Sequence, residues 1–229
     1  MATVVLAEDM LLGRQVALKR VTATADARDI SRLRREALVG ASVSHQNLVS
    51  IYDVVTAEDG NVVIVMEYVP GETLADALSR EGRLASSEAL RILDGVAAGL
   101  DAIHQRDIVH RDVKPANVLL GASGTVKLAD LGVAAVADRT RITSAGAVVG
   151  SWRYMAPEQL EDRPSTTAID VYALAAVAFE VLSGQKARRE QNPMALAHAI
   201  TTQPPPDLRD AWPEAPPGVA ELLALAMAR

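Results

Sequence analysis

The chain of 229 residues contains no cysteine, which excludes disulfides, thiolate metal sites and a cysteine nucleophile. It has one Phe and few Lys against many Ala, Val and Arg, a bias that fits GC-rich coding and carries little functional meaning. No apolar run is long enough to cross a membrane: Val171 to Leu182 is interrupted by Glu180. The opening Met1 to Leu12 lacks a basic flank and carries Glu8 and Asp9, so no signal peptide is expected either. A surplus of positive charge is also missing. The formal net charge is -6, and the one basic run, Arg32 to Arg35, stops at Glu36, which argues against a nucleic-acid surface. These absences lead to the expectation of a cytoplasmic protein with no nucleic-acid partner and no membrane segment in this chain.

With 49% hydrophobic residues, the chain can bury a large core. Short Val/Ile/Leu runs at Thr3 to Ala7, Gln15 to Arg20, Leu48 to Val55 and Val62 to Glu67 predict strands, separated by Leu12-Gly13 and Asp59-Gly60-Asn61 turns. One helix, from about Asp26 to Ser42, interrupts them. After Pro70-Gly71 the character changes. Ser86 to Gln105 predicts an amphipathic helix behind a Ser-Ser cap, with Leu90, Leu93, Ala97, Leu100 and Ile103 on one stripe. Two short strands, Val118 to Leu120 and Thr125 to Leu128, come next. Residues 130 to 167 show no sustained period, which for so long a connection points to a functional loop. Ala168 to Ser183 predicts a helix apolar nearly all round and therefore buried, followed by helices over Asn192 to Thr202 and Gly218 to Arg229. There are no internal repeats.

The most specific stretch is His110-Arg111-Asp112-Val113-Lys114-Pro115-Ala116-Asn117, followed by Val118-Leu119-Leu120. Asp112 can take the proton of an attacking hydroxyl, Asn117 on the same loop can ligate a metal that bridges phosphates, and Lys114 adds positive charge beside them. Asp130-Leu131-Gly132 follows behind the strand Val126-Lys127-Leu128. An Asp-x-Gly alone is an ordinary turn; its distance from Asn117 gives it a second meaning. Val16-Ala17-Leu18-Lys19 ends a strand, and Glu36 lies on the following helix. Read singly, Lys19 is a solvated charge and Glu36 a partner for Arg32 four residues earlier. Ala156-Pro157-Glu158 closes the long connection.

Together these motifs resemble the catalytic domain of bacterial serine/threonine protein kinases. The resemblance implies an α+β, two-lobed fold: a small β-rich N-lobe (1–67), a hinge (68–70) and a larger, mainly helical C-lobe (71–229). It implies ATP and Mg²⁺ (or Mn²⁺) as cofactors and Ser/Thr hydroxyls of proteins as acceptors. Asp112 is then the base, assisted by Lys114 and Asn117, while Asn117 and Asp130 hold the metal and Lys19 with Glu36 anchors the phosphates. Val4, Ala17 and Leu119 would sandwich the adenine, Glu67 and Val69 would line the hinge, and Met66 would guard the rear of the pocket. Thr143 matches an activation-loop phosphorylation site, with Ala145 where a second Thr often stands. Arg111 is its expected phosphate partner. Ser151 occupies a position usually held by Thr, where its hydroxyl can bridge Asp112 and Lys114. Asp170 would hold the catalytic loop from beneath. His45, His104 and His198 read as structural. A homodimer phosphorylating its own activation loops is a further implication.

The same resemblance marks departures. A Gly-x-Gly-x-x-Gly loop would begin before Met1, with Ala2 at its third glycine. The Arg that pairs with Glu158 would fall beyond Arg229, leaving an expected buried carboxylate uncompensated at a cost of roughly 3–5 kcal/mol. Gly40 replaces an apolar residue in a stack through Ile51, Leu131 and His110, which should loosen the helix bearing Glu36. Besides the enzyme, the sequence therefore admits a truncated, weakly active or inactive kinase-like binding module. Lys114-Pro115 and Ala156-Pro157-Glu158 disfavour a small-molecule phosphotransferase.

Overall fold

A computed structural model describes residues 2–21, 34–35, 37–57, 60–131, 149–161 and 163–228. The chain opens with a hairpin of β1 (Ala2–Asp9) and β2 (Arg14–Val21). Asp9 makes the turn: its carboxylate accepts the N–H groups of Leu11 and Leu12 at 3.2 and 3.1 Å, and Gly13, at φ +62°, donates to Asp9 O at 2.8 Å. With β3 (Ile51–Thr56) and β4 (Val62–Glu67), the hairpin forms an antiparallel sheet of order β1-β2-β4-β3. Register pairs Val4 with Lys19, Ala17 with Met66 and Lys19 with Ile64. Because side chains alternate along a strand, Val4, Ala17, Lys19, Ile64 and Met66 share one face.

Residues 34–35 and 37–41 are helical within the helix expected from Asp26 to Ser42. Gly40 is buried there, and a Cβ would lie 3.1 Å from Ile51 Cδ1 and 3.4 Å from Leu131 Cδ2. Those two side chains take the space an apolar residue at 40 would fill. The stack thus closes onto the glycine; the helix position of Glu36, whose loosening was expected, lies outside the described residues.

From Gly71 the chain becomes largely helical, as the two-lobed α+β reading requires. A second small sheet joins β5 (Gly71–Thr73), β6 (Val118–Gly121) and β7 (Val126–Leu128). Helix α1 (Leu74–Glu81) starts on a capping box in which Asp76 N–H donates to Thr73 Oγ1 at 3.1 Å and Thr73 N–H to Asp76 at 3.2 Å. Helix α2 (Ser86–His104) has Ala85 as its N-cap without a side-chain hydrogen bond, so the Ser-Ser cap does not form. Its buried stripe is Ala89, Ile92, Val96, Gly99, Leu100 and Ile103, whereas Leu90 faces solvent. Leu90 lies about 100° round the helix from Ala89, off the face that Ile92 and Val96 share.

Short helices α3 (Val149–Trp152) and α4 (Pro157–Leu160) precede α5 (Ala168–Ser183), which is buried through Ile169, Tyr172, Ala173, Ala176, Val177 and Val181. Gly184, at φ +72°, ends it by donating to Glu180 O. Helices α6 (Pro193–Thr202) and α7 (Pro217–Ala226) complete the layer, with Asn192 capping α6 through the N–H groups of Met194 and Ala195.

The two sheets are joined by a short segment before β3. Leu48, expected within a strand, instead makes a single parallel bridge to Leu128. Leu128 N–H donates to Asn47 O at 2.8 Å, Val49 N–H to Leu128 O at 3.0 Å, and Asn47 Nδ2 to Val126 O at 2.9 Å. Helix α2 must come close to admit this segment: a Cβ on Gly99 would lie 2.9 Å from Asn47 O. Gly99→Ala is therefore expected to lower unfolding stability by about 1–3 kcal/mol through overpacking. Gly218→Ala, with nothing within 4 Å of its Cβ, should leave stability unchanged or raise it through helix propensity. Urea titration of both variants measures the difference.

Candidate active site

Residues 110–117 form a loop pinned from three sides. From below, Asp170 on the first turn of α5 accepts His110 N–H on Oδ2 and Arg111 N–H on Oδ1, each at 2.8 Å. Its side chain is 1% exposed, so these bonds replace its hydration. From the side, Gln159 Nε2 donates to Arg111 O at 3.2 Å. From within, the buried His110 ring links the loop to the strand end opposite. Asp112 N–H donates to His110 Nδ1 at 3.3 Å, and the Nε2 nitrogen lies 2.9 Å from Ala129 O. One ring nitrogen faces a donor and the other an acceptor, which defines a neutral imidazole with its proton on Nε2. Burial is the main cause that pushes this imidazole's pKa down, outweighing the nearby carboxylates of Asp170 and Asp112. Arg111 is left-handed, at φ +70°; a non-glycine residue so placed costs on the order of 1–3 kcal/mol and persists where its surroundings hold it.

Within this frame Asp112 is flanked by donors. Lys114 Nζ lies 2.9 and 2.7 Å from its two oxygens, and Asn117 Nδ2 donates to Asp112 O at 2.7 Å and to Oδ2 at 2.9 Å. Ser151 Oγ accepts from Lys114 Nζ at 3.1 Å, so it reaches Asp112 through the lysine rather than by a direct bond. A 3₁₀ turn at Pro115–Asn117 supplies the tight spacing.

The second carboxylate, Asp130, follows β7 and is also left-handed, at φ +68°. Lys19 Nζ reaches down from the first sheet to Asp130 Oδ1 at 2.7 Å, across the cleft. Lys19 is itself 7% exposed, and a lysine so buried needs such a counter-charge. Asn117 uses its amide nitrogen on Asp112, and its Oδ1 accepts no hydrogen bond among the described residues. Asp130 Oδ2 is likewise uncommitted there. Two hard oxygen donors of this kind suit Mg²⁺, which takes one or two protein ligands and completes its shell with phosphate and water. No group of three or more His, Cys, Asp or Glu is gathered among the described residues.

Above the two acids, Val4, Ala17 and Met66 occupy the same sheet face as Lys19, with Val4 largely exposed and Ala17 and Met66 buried. Leu119 sits on β6 opposite Lys127. Glu67 turns its side chain away from this face: Oε2 pairs with Lys127 Nζ at 3.0 Å and accepts Ser50 N–H at 3.1 Å. The Glu67 N–H donates to Ser50 O at 2.8 Å, so its carbonyl is the group left to serve a ligand. Val69 N–H and C=O make no hydrogen bond among the described residues. Arg111 Nε is buried without a partner among the described residues. Glu36 and Thr143 lie outside the described residues.

Glu158 is half-buried and opens onto a cleft of about 770 Å³ lined by Pro157, Thr167, Val171 and Leu225. It is not the fully buried, uncompensated charge that the sequence suggested. Neither Asp112 nor Asp130 lines this cleft. Two contacts had no sequence signal: the Lys127–Glu67 pair, formed by residues 60 positions apart, and His104 Nε2, 2.8 Å from Asp170 Oδ2.

Residues 1–223 match the family described as Protein kinase domain. The chain is 38% identical over 214 residues to the serine/threonine-protein kinase PknA of Corynebacterium glutamicum, covering 91% of this chain and 46% of that protein. It is 38% identical over 231 residues to the serine/threonine-protein kinase PrkC of Bacillus subtilis, covering 100% of this chain and 36% of that protein. It is also 35% identical over 229 residues to PknA of Mycobacterium tuberculosis, covering 97% and 52%. The chain thus spans about half or less of the length of these curated relatives.

The neutral His110 carries a pH dependence whose sign follows from its depressed pKa. In the unfolded chain a histidine takes up its proton near pH 6.5, whereas the folded ring resists until the pH is lower. Acidification below about pH 6.5 therefore favours unfolding by about 1.4 kcal/mol per pH unit until the folded ring protonates. Above that pH this contribution is constant. Urea unfolding at pH 7.5 and 5.5 should show a larger stability loss in the wild type than in His110→Phe; equal losses would contradict the assignment.

Proposed function

The chain belongs to the protein kinase domain family, and on that premise we propose that it transfers the γ-phosphoryl group of ATP to Ser and Thr hydroxyls of proteins. The observation that carries the reading is the pair of carboxylates, Asp112 and Asp130, each held by a lysine and linked through the His110 ring, which accepts Asp112 N–H and faces the carbonyl of Ala129. Catalysis of this kind relies on positioning and electrostatics more than on covalent chemistry by the protein.

In this account Asp112 orients the acceptor hydroxyl and takes its proton as the new O–P bond forms and the bond to the ADP oxygen breaks. Lys114, already on Asp112 and Ser151, supplies positive charge at the transferred group. Asn117 Oδ1 and the Asp130 carboxylate are the residues to hold Mg²⁺ or Mn²⁺, which when bound neutralises the phosphate charge. Lys19 positions the α- and β-phosphates, with Glu36 as its helix partner. Val4, Ala17 and Leu119 clasp the adenine, whose polar edge meets the carbonyl of Glu67, its N–H being taken by Ser50 O, and the backbone of Val69. Arg111, whose Nε has no partner among the described residues, receives a phosphate on Thr143, and Ser151 keeps Lys114 in register. Residues 1–67, 68–70 and 71–229 serve as N-lobe, hinge and C-lobe. We place the domain in the cytoplasm, where ATP is plentiful, with a second copy among its substrates. No described helix is long and apolar enough to cross a membrane.

The test is transfer of label from γ-labelled ATP to the full-length protein and to casein, followed by phosphoamino-acid analysis. Label is expected on Ser or Thr, to disappear with excess EDTA, and to fall by about 10²–10⁴-fold in Asp112→Asn. Label that persists in Asp112→Asn, or that resides on Tyr, contradicts the proposal.

A further inference from the structure

The connection between α5 and α6, residues 184–192, carries Lys186, Arg188 and Arg189 in a chain whose formal net charge is -6. These three basic residues divide into two kinds. Arg188 is 7% exposed and is spent inside the fold: its Nη2 donates to Gln203 O at 3.2 Å and to Pro204 O at 2.9 Å, which fastens the connection to the chain leaving α6. Lys186 and Arg189 are exposed and have no hydrogen bond or ion pair among the described residues. Glu190 is the one carboxylate on the connection, and its Oε2 is buried without a partner among the described residues, so it neutralises neither of them. The result is a patch of uncompensated positive charge on an acidic chain.

Arg153 joins this patch to the reacting groups. Its guanidinium donates to Arg188 O and, at 2.7 Å, to Glu190 O, so it holds the backbone on both sides of Arg189. Two residues earlier, Ser151 accepts from Lys114 Nζ, which lies 2.7 Å from Asp112 Oδ2. The Cα atoms of Ser151 and Arg153 can be at most about 7 Å apart, which anchors the patch close to the carboxylate assigned to the acceptor hydroxyl. An extended acceptor rises about 3.3 Å per residue, so residues about two to four positions from its hydroxyl span that distance. We propose that Lys186 and Arg189 form an acceptor-docking patch that favours proteins with Asp or Glu about two to four residues from the phosphorylated Ser or Thr. This preference deepens the phosphotransfer reading and rests on it.

Synthetic peptides with a single Ser in a neutral background test the patch, each carrying a pair of Glu or a pair of Lys within that span, either before or after the Ser. Steady-state transfer from ATP to each peptide is measured for the full-length wild type and for Lys186→Glu/Arg189→Glu. On one side of the Ser, the wild type is expected to use the Glu peptide with kcat/KM about tenfold above that of its Lys counterpart. The double variant is expected to reverse the order. A wild type that uses Glu and Lys peptides equally on both sides, or a variant that keeps the wild-type preference, overturns the proposal. If the double reversal does not fold, Lys186→Gln/Arg189→Gln takes its place, with the preference expected to fall to about threefold or less. If the wild type labels neither the peptides nor casein, the kinase reading has failed, and fluorescence anisotropy of the labelled Glu peptide decides on docking alone. Binding about tenfold weaker in the double variant then supports the patch, and equal binding overturns it.

Discussion

The arrangement of the cleft depends on one uncharged ring. His110 is buried, takes a hydrogen bond from the peptide of Asp112 and faces the carbonyl of Ala129, the residue before Asp130. The two carboxylates assigned to chemistry thus hang from opposite sides of a single imidazole. A protonated ring could not accept from Asp112 N–H, so the neutral form is part of the geometry and not incidental to it. Beneath the ring, Asp170 supplies the negative charge that the loop's N–H groups need, and its own burial is tolerable only because those groups answer it. The site is therefore built as a closed set of hydrogen bonds, in which each buried polar group is satisfied by another.

A second constraint joins the two sheets. Asn47, Leu48 and Val49 hydrogen-bond along β7, and Lys19 crosses the cleft to Asp130. The first tie is backbone and packing, reinforced where Gly95 and Gly99 let α2 approach. The second is an ion pair between a buried lysine and a residue in a strained backbone conformation. One holds the sheets together; the other sits where phosphate and metal would compete for both charges. This division suits a cleft that must keep its walls in register while its polar lining exchanges partners with a nucleotide.

Much of this was legible in the sequence. Helix α5 was readable to the residue, because an apolar run capped by Gly184 leaves little choice of boundary, and β4 was equally clear. The octet His110 to Asn117 carried its chemistry in its spacing. What failed did so for physical reasons. Leu90 looks like core but points outward, since a helix with Ala and Gly at its contacts defines its buried face by small residues as much as by large ones. Helix α1 escaped notice because it is short and its cap, Thr73, hides in a turn-like run after Pro70-Gly71. The partner of His104 went unseen because it lies 66 residues away, and no local pattern announces such a contact. The close approach of Ile51 and Leu131 to Gly40 is a matter of tertiary packing that one-dimensional reasoning does not reach.

The claim on which the account turns is that His110 is neutral, with its proton on Nε2. Long-range ¹H–¹⁵N correlation of the histidine rings, with His110 assigned by comparison with His110→Phe, reads this directly. The account predicts a protonated Nε2 and a bare Nδ1 for His110 at pH 7, unchanged at pH 6. A ring protonated on both nitrogens at pH 7, or a proton on Nδ1 alone, would contradict it.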